Sequence, residues 1–348
     1  MHSSEMDIGR WFASDNNASV HPAIMKALND ANAGHAVGYG DDPYTSRVNE
    51  TFKDAFGKES DAYLVWNGTG ANVLALASVL RPWEGVICAD EGHIALDEAG
   101  APERIAGIKV FTVPTDMGKL TPELIQERVD GLGWIHSNLP RMVSISQPTE
   151  TGLTYTPDEL ASIGETCRRN QLLLHVDGAR LSNAAVHLGL SLREAAGPAD
   201  ILSFGGTKNG LMFGEAVVFF NGTAPAGIGN LRKNVLQLAS KMRYLSVQYD
   251  VYLREGLWKE NAERSNRIAF LLAKSAAEVL NVPAFYPVET NAVFAVLPES
   301  AIEAVTDKWF FYTLDQKQGL VRWMCSWDNT DSDVTGFISE LGRGLLHR

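Results

Sequence analysis

Cysteine is almost missing from this 348-residue chain, with Cys88, Cys167 and Cys325 its only examples. They are odd in number, far apart, and in no Cys-x-x-Cys or Cys/His spacing. Neither a disulfide framework nor a metal site is expected, and the thiols read as reduced, as in a cytoplasmic protein. Long apolar runs are missing too: nothing approaches the ~18 residues that cross a bilayer. The opening stretch MHSSEMDIGRWFASD lacks the apolar segment of a secretory signal. Basic charge is scarce, with 30 Lys and Arg against 42 Asp and Glu and a net charge of −12. That balance argues against a nucleic-acid or membrane partner. Internal repeats and low-complexity linkers are also absent.

What is present is an ordinary globular composition, 45% hydrophobic and 21% charged. The length suggests two domains, or one large domain with an appendage. Seven short apolar runs read as strands: AYLVW (62–66), GVICA (85–89), KVFTV (109–113), MVSIS (142–146), LLLHV (172–176), ILSF (201–204) and AVVFF (216–220). Most are continuous rather than alternating, as expected of strands covered on both faces. Helical patterns lie between them, including GANVLALASVL (70–80), TPELIQERVD (121–130) and TPDELASIGETCRRN (156–170). The last two begin Thr-Pro, an N-cap followed by proline at the first helical position. The alternation predicts an α/β fold, a mostly parallel central sheet with helices on both faces. Near residue 250 the pattern changes. Residues 259–280 read as one long helix, and 291–298 and 319–327 as later strands. The division predicted is an N-terminal arm (1–17), a large domain (18–256) and a smaller C-terminal α/β domain (257–348).

In an open parallel sheet, ligands bind beyond the carboxyl ends of the strands. Three polar features fall there. In WNGTGANVLAL, Gly68, Thr69 and Gly70 place backbone N–H groups and a hydroxyl at a helix start, suited to phosphate. This is not the dinucleotide fingerprint, because Val73 stands where a third Gly or Ala is needed, and no Gly-Lys-Ser/Thr follows. In LLLHVDGAR, Asp177 ends a buried strand, where a carboxylate needs a partner, and Arg180 follows three residues later. In SFGGTKNG, Lys208 lies among Gly205, Gly206, Thr207 and Gly210, small residues that let a ligand approach the backbone. A lysine that can be made neutral forms a Schiff base with an aldehyde. A carboxylate opposite a pyridinium nitrogen keeps that ring protonated and electron-accepting. Phosphate loop, aspartate and lysine, in that order, are the parts needed to hold pyridoxal 5′-phosphate. The same scaffold would serve another β-eliminating lyase or an aminotransferase. A non-catalytic nucleotide-binding α/β protein is the remote alternative.

HVDGAR with Lys208 downstream, NGTGAN, EGHIALDEAG (91–100) and VGYGDDP (37–43) together resemble the low-specificity L-threonine aldolases. These belong to the β-eliminating lyase group of fold-type-I pyridoxal-phosphate enzymes, and the resemblance runs from about residue 12 to residue 330. It implies roles residue by residue. Lys208 matches the Schiff-base lysine, Asp177 the partner of the pyridine nitrogen, and His93 the histidine stacked on the ring. Arg180 matches the arginine near the cofactor O3′ and the substrate carboxylate. Gly68 and Thr69 match the phosphate binders, and Thr207 joins Lys208 as a cofactor contact. Ser14 and Arg322 match residues that contact the substrate carboxylate. The basic segment RKNVLQLASKMRY (232–244) offers Lys241 or Arg232 to the cofactor phosphate.

The activity implied is retro-aldol cleavage of L-β-hydroxy-α-amino acids, such as threonine, allo-threonine or phenylserine, to glycine and an aldehyde. In the resembling family GHAVGYGDDPYTS (34–46) contributes to the neighbouring subunit's site, which implies a homodimer or homotetramer with the active site at the interface. One departure stands out. Where many threonine aldolases carry Asn-Thr-His, this chain has SISQPTETGLTY, with Gln147, Thr149 and Glu150 and no histidine. A water held near His93 or Glu150 is then the expected base for the β-hydroxyl. His136 reads as structural.

Overall fold

All seven apolar runs become strands of one sheet: β1 (Asp61–Val65), β2 (Glu84–Ala89), β3 (Lys109–Val113), β4 (Leu139–Ser146), β5 (Leu173–Gly178), β6 (Ile201–Gly205) and β7 (Glu215–Phe219). In the computed structural model, which describes residues 9–131, 134–306 and 308–346, they lie in the order β1-β7-β6-β5-β4-β2-β3. Neighbours from β6 through β3 pair in parallel, whereas β7 runs antiparallel to both β1 and β6. The reversal has a simple cause: the link from Gly205 to Glu215 is too short for the helical crossover that a parallel neighbour requires. It sets Glu215 directly opposite Gly205.

The helix Gly68–Val79 is apolar nearly all round, and Ala71 through Leu76 are buried. A helix without a polar face belongs inside. It forms one core with Val65, Val86, Met142 and Val217. The other face of the sheet carries Ile145, Leu174, Val176 and Phe204, packed with Phe52 of the helix Pro43–Phe56 and with Tyr249 and Tyr252 of the helix Arg243–Arg254. Because side chains alternate along a strand, Leu174 and Val176 enter this core while His175 and Asp177 take the opposite face. The predicted Thr-Pro caps form: Thr121 Oγ1 accepts from Leu124 N–H at 3.3 Å, and Thr156 and Glu159 make a reciprocal capping box. Asn67 adds a cap not read from the sequence, its Oδ1 accepting from Gly70 N–H at 2.8 Å.

The chain divides into two compact units, Val20–Glu260 and the pair of segments Met1–Ser19 and Asn261–Arg348. The division falls inside the helix Leu257–Leu280. In the smaller unit β8 (Ala292–Val296), β9 (Tyr312–Asp315) and β10 (Leu320–Met324) form an antiparallel sheet in the order β8-β10-β9. Its core holds Phe12, Trp323 and Phe337, with Phe12 and Phe337 ring centroids 5.2 Å apart. Backbone and side chain both tie the N-terminal stretch into this unit. Met324 N–H donates to Phe12 O at 2.8 Å, and Asn291 Nδ2 donates to Asp15 Oδ2 at 3.0 Å. Among the described residues no helix is long and apolar enough to cross a membrane. The three cysteines are buried thiols.

Candidate active site

Asp177, the last charged residue of β5, is buried, and both of its oxygens accept hydrogen bonds. Ala179 N–H donates to Oδ1 at 3.0 Å and Asn72 Nδ2 to Oδ2 at 2.8 Å. The same Asn72 nitrogen donates to Glu98 Oε1 at 2.7 Å, and Glu98 Oε1 lies 2.9 Å from His93 Nδ1. Asn72, Glu98, His93 and Asp177 thus form one connected group. The hydrogen bond to Glu98 raises the proton affinity of His93, and burial raises that of Glu98. Two residues back along β5 and on the same face, His175 is fully buried between Ser144 Oγ (2.8 Å) and Ser203 Oγ (2.9 Å) on the flanking strands. Burial drives its pKa down to about 4, with Asp177 opposing, so the ring is neutral.

Lys208 occupies a short 3-10 turn, Thr207–Asn209, immediately after β6. Asn209 Nδ2 anchors that turn to Tyr252 Oη at 2.7 Å and Trp258 O at 2.9 Å. Tyr249 Oη closes the two ends of the β6–β7 link, donating to Phe204 O at 2.9 Å or Gly214 O at 3.1 Å. Beneath it Glu215 Oε2 accepts from Gly206 N–H at 3.0 Å. Burial pushes Glu215 up to about 7, against Thr207 and the Lys208 charge.

The phosphate-loop reading rests on donors. Asn67 consumes the Gly70 N–H, leaving the amides of Gly68 and Thr69 as the donors of the first helical turn. A Cβ on Gly70 would stand 2.3 Å from Gln237 Cδ, so the end of that side chain would have to move aside. Gln237 Oε1 accepts from Trp66 N–H at 3.0 Å, so its side chain lies across the loop.

Gly68, His93, Asp177, Arg180 and Lys208 line one cavity, completed by Asn72, Ser146, Pro148, Glu150 and Ala179. The donor set fits pyridoxal 5′-phosphate. A primary amine, a buried carboxylate, an imidazole and helix-start amides face one space at the strand carboxyl ends.

The histidine-free loop brings Glu150 to the same cavity. Gln147 clasps the far end of the loop through both amide atoms, to Tyr155 N–H and Tyr155 O at 2.9 Å each. Thr149 N–H donates to Leu153 O at 2.8 Å. Glu150 Oε1 then accepts from Ser146 Oγ at 2.9 Å and from His93 N–H at 3.3 Å.

Two candidates of the larger unit stand outside that lining. Lys241 lines a different cavity, with Met25, Trp66, Met212 and Tyr244. The Arg232 guanidinium lies 5.6 Å from the Tyr63 ring and donates to Leu64 O. Ser14 and Arg322 belong to the smaller unit. Ser14 caps a 3-10 turn, accepting from Asn16 N–H at 3.2 Å. Arg322 lies in the middle of β10, with its guanidinium 5.8 Å from the Tyr312 ring. His136 makes an edge contact with the Trp134 ring at 4.8 Å.

Sequence reasoning missed Asn72, Glu98, Glu215 and Gln237. Two of these carried a signal: Asn72 interrupts an otherwise apolar helix, and Glu215 opens a wholly apolar strand. A buried polar residue in such a setting needs a partner.

Residues 12–300 match the family model described as beta-eliminating lyase. The low specificity L-threonine aldolase of Pseudomonas aeruginosa is 43% identical over 343 residues, covering 97% of this chain and 98% of that protein. Its counterpart from a Pseudomonas sp. strain is 41% identical over 339 residues, covering 96% and 98%. The solved structure of a Leishmania major threonine aldolase superposes with a TM-score of 0.91 at 31% identity, covering 95% of this chain and 98% of that one. With matching sequence over nearly its whole length and a matching backbone, this chain belongs to the beta-eliminating lyase family.

Proposed function

We propose that this protein is a carbon–carbon lyase that cleaves L-β-hydroxy-α-amino acids, threonine and allo-threonine among them, to glycine and an aldehyde. The observation that carries the reading is the convergence of Lys208, Asp177, His93 and Arg180 on one cavity. Similarity to the Pseudomonas threonine aldolases supports the substrate class.

Pyridoxal 5′-phosphate, when bound, supplies an aldehyde that captures the substrate amine and a ring that accepts the electrons of the broken bond. Lys208 is the amine that would hold it covalently. The amides of Gly68 and Thr69 and the Thr69 hydroxyl would take its phosphate, with Thr207 beside Lys208 as a further contact. Asp177, pinned by Asn72 and Ala179, would accept the ring N–H, and His93 would cover the ring face. Arg180, Ser14 and Arg322 would bind the substrate carboxylate. Their grip matters because only a bond held perpendicular to the ring plane breaks readily, so orientation selects Cα–Cβ. The β-hydroxyl proton would pass to a water held by His93 or Glu150, whose two carboxylate contacts keep it at the cavity wall.

The protein is further proposed to work as a homodimer or homotetramer, with residues 34–46 and Lys241 serving a neighbouring copy's site. These segments share one surface: Tyr39 N–H donates to Ser240 O at 2.9 Å, and the Arg243 guanidinium to Gly34 O at 3.2 Å. The deciding experiment supplies the protein and pyridoxal 5′-phosphate with threonine, allo-threonine and phenylserine, and measures glycine and aldehyde. Equimolar release from at least one is expected. Release from none would overturn the reading.

A further inference from the structure

We propose that Glu98 and Asn72 are positioning residues that hold His93 and Asp177 as one unit, with the His93 proton fixed on Nδ1. The inference rests on the functional reading above, because it assigns His93 and Asp177 to the same bound ring.

The argument is one of donors and acceptors. The Asn72 amide nitrogen carries two hydrogens and has two carboxylate partners, Asp177 Oδ2 at 2.8 Å and Glu98 Oε1 at 2.7 Å. An amide nitrogen cannot accept, so both hydrogens are committed and the two carboxylates are cross-linked at a fixed separation. The Glu98 side chain is wholly buried. Its Oε1 also meets His93 Nδ1 at 2.9 Å. The hydrogen bonds from Asn72 and His93 favour the ionised form of Glu98 against its burial. An ionised carboxylate has no hydrogen to give, so the imidazole supplies it, and Nε2 is left as the ring nitrogen that Glu98 does not engage. A carboxylate behind a histidine sets tautomer and orientation together.

The surroundings favour that arrangement. Asp177 and Glu150, as well as Glu98, draw the proton toward His93, with the Glu98 bond the largest cause. Burial opposes them, and Lys208 and Arg180 share the cavity. On the adjoining side stand Glu91 and Cys88, whose thiol burial pushes up to about 12 and so leaves uncharged. Asn72 lies in NGTGAN and Glu98 in EGHIALDEAG, yet neither carries a role that the family resemblance assigns. Their effect comes from linking two residues that do.

The test uses the holoenzyme labelled with 15N in its histidine rings. The His93 signals are assigned by their loss in His93→Asn, and the protonated nitrogen is read from ring nitrogen shifts. The parent should show the Nδ1–H form. Glu98→Gln keeps an acceptor oxygen but removes the charge. It should move the His93 titration and the pH profile of kcat/KM together to lower pH, with cofactor absorbance retained. Asn72→Ala should lower kcat about tenfold with KM little changed, because it loosens two groups without touching substrate. An Nε2–H histidine in the parent overturns the inference, as does a His93 titration that ignores Glu98→Gln. Should Glu98→Gln not fold, the parent tautomer alone decides. An active enzyme with the wrong tautomer sinks this inference only, whereas a parent that forms no glycine sinks the functional reading beneath it.

Discussion

Gly205 and Ala179 touch so closely that a Cβ on Gly205 would stand 2.3 Å from the Ala179 carbonyl oxygen. The turn that follows Asp177 and leads to Arg180 is therefore pressed against the end of β6 that leads to Lys208. The obstacle is backbone on both sides, so no side chain can swing away. Gly205→Ala is expected to cost about 1–3 kcal/mol or more, the range for overpacking. It should also weaken cofactor retention, since the two turns must separate. Gly229→Ala, in a helix with nothing near its Cβ, is the matched control. Denaturation midpoints of the two variants decide the matter, and equal midpoints would remove Gly205 from the account.

Lys208 is expected to carry the cofactor. Borohydride treatment of the pyridoxal-phosphate-loaded protein, followed by peptide mapping, should mark Lys208 and abolish the visible absorbance of the Schiff base on denaturation-resistant reduction. Lys208→Ala should lose that covalent mark. Label on Lys241, which lines a separate cavity, would contradict the assignment.

Arg322 is expected to recognise the substrate carboxylate without affecting the cofactor. Losing a charge-assisted hydrogen bond costs ~1.5–3 kcal/mol. Arg322→Ala should therefore lower kcat/KM at least about tenfold. Arg322→Lys should recover only part, because an ammonium lacks the planar fork. The absorbance of the resting enzyme should be the same in all three proteins. Unchanged cleavage by Arg322→Ala would move the clamp to Arg180.

His175 is expected to make the apoprotein acid-sensitive. Its folded-state pKa is about 4, depressed by burial, and the unfolded chain titrates near 6.5. The unfolded state therefore binds the proton first as pH falls. The stabilisation is complete above the unfolded value and is lost on acidification toward pH 4. Between pH 7 and pH 5 this amounts to about 2 kcal/mol. His175→Gln keeps a donor and an acceptor between Ser144 and Ser203 but cannot titrate. Urea denaturation at the two pH values should show a smaller drop for the variant. Parallel drops would show that His175 is not responsible.

Hydrophobic runs and their punctuation are local properties, and they were legible in the sequence. The seven strands, the Thr-Pro helix starts, and Asp177 and Lys208 at strand ends follow from apolar periodicity and from what can cap it. Even the family resemblance travels along the chain as short ordered motifs. Pairings between distant polar groups are not local. Asn72, Glu98 and Asp177 meet because the sheet order places β1's following helix and the segment after β2 beside the end of β5. Nothing in the spacing of three polar residues along a chain states that order. The same holds for Gln237 across the phosphate loop, for Glu215 beneath the lysine turn, and for Lys241 in a cavity apart from Lys208. A hydrogen bond demands an approach to within about 3 Å. Only packing of the whole large unit sets distances that fine, so tertiary structure decided both the wiring of the site and the membership of Asn72, Glu98, Glu215 and Gln237, which the sequence left unnamed.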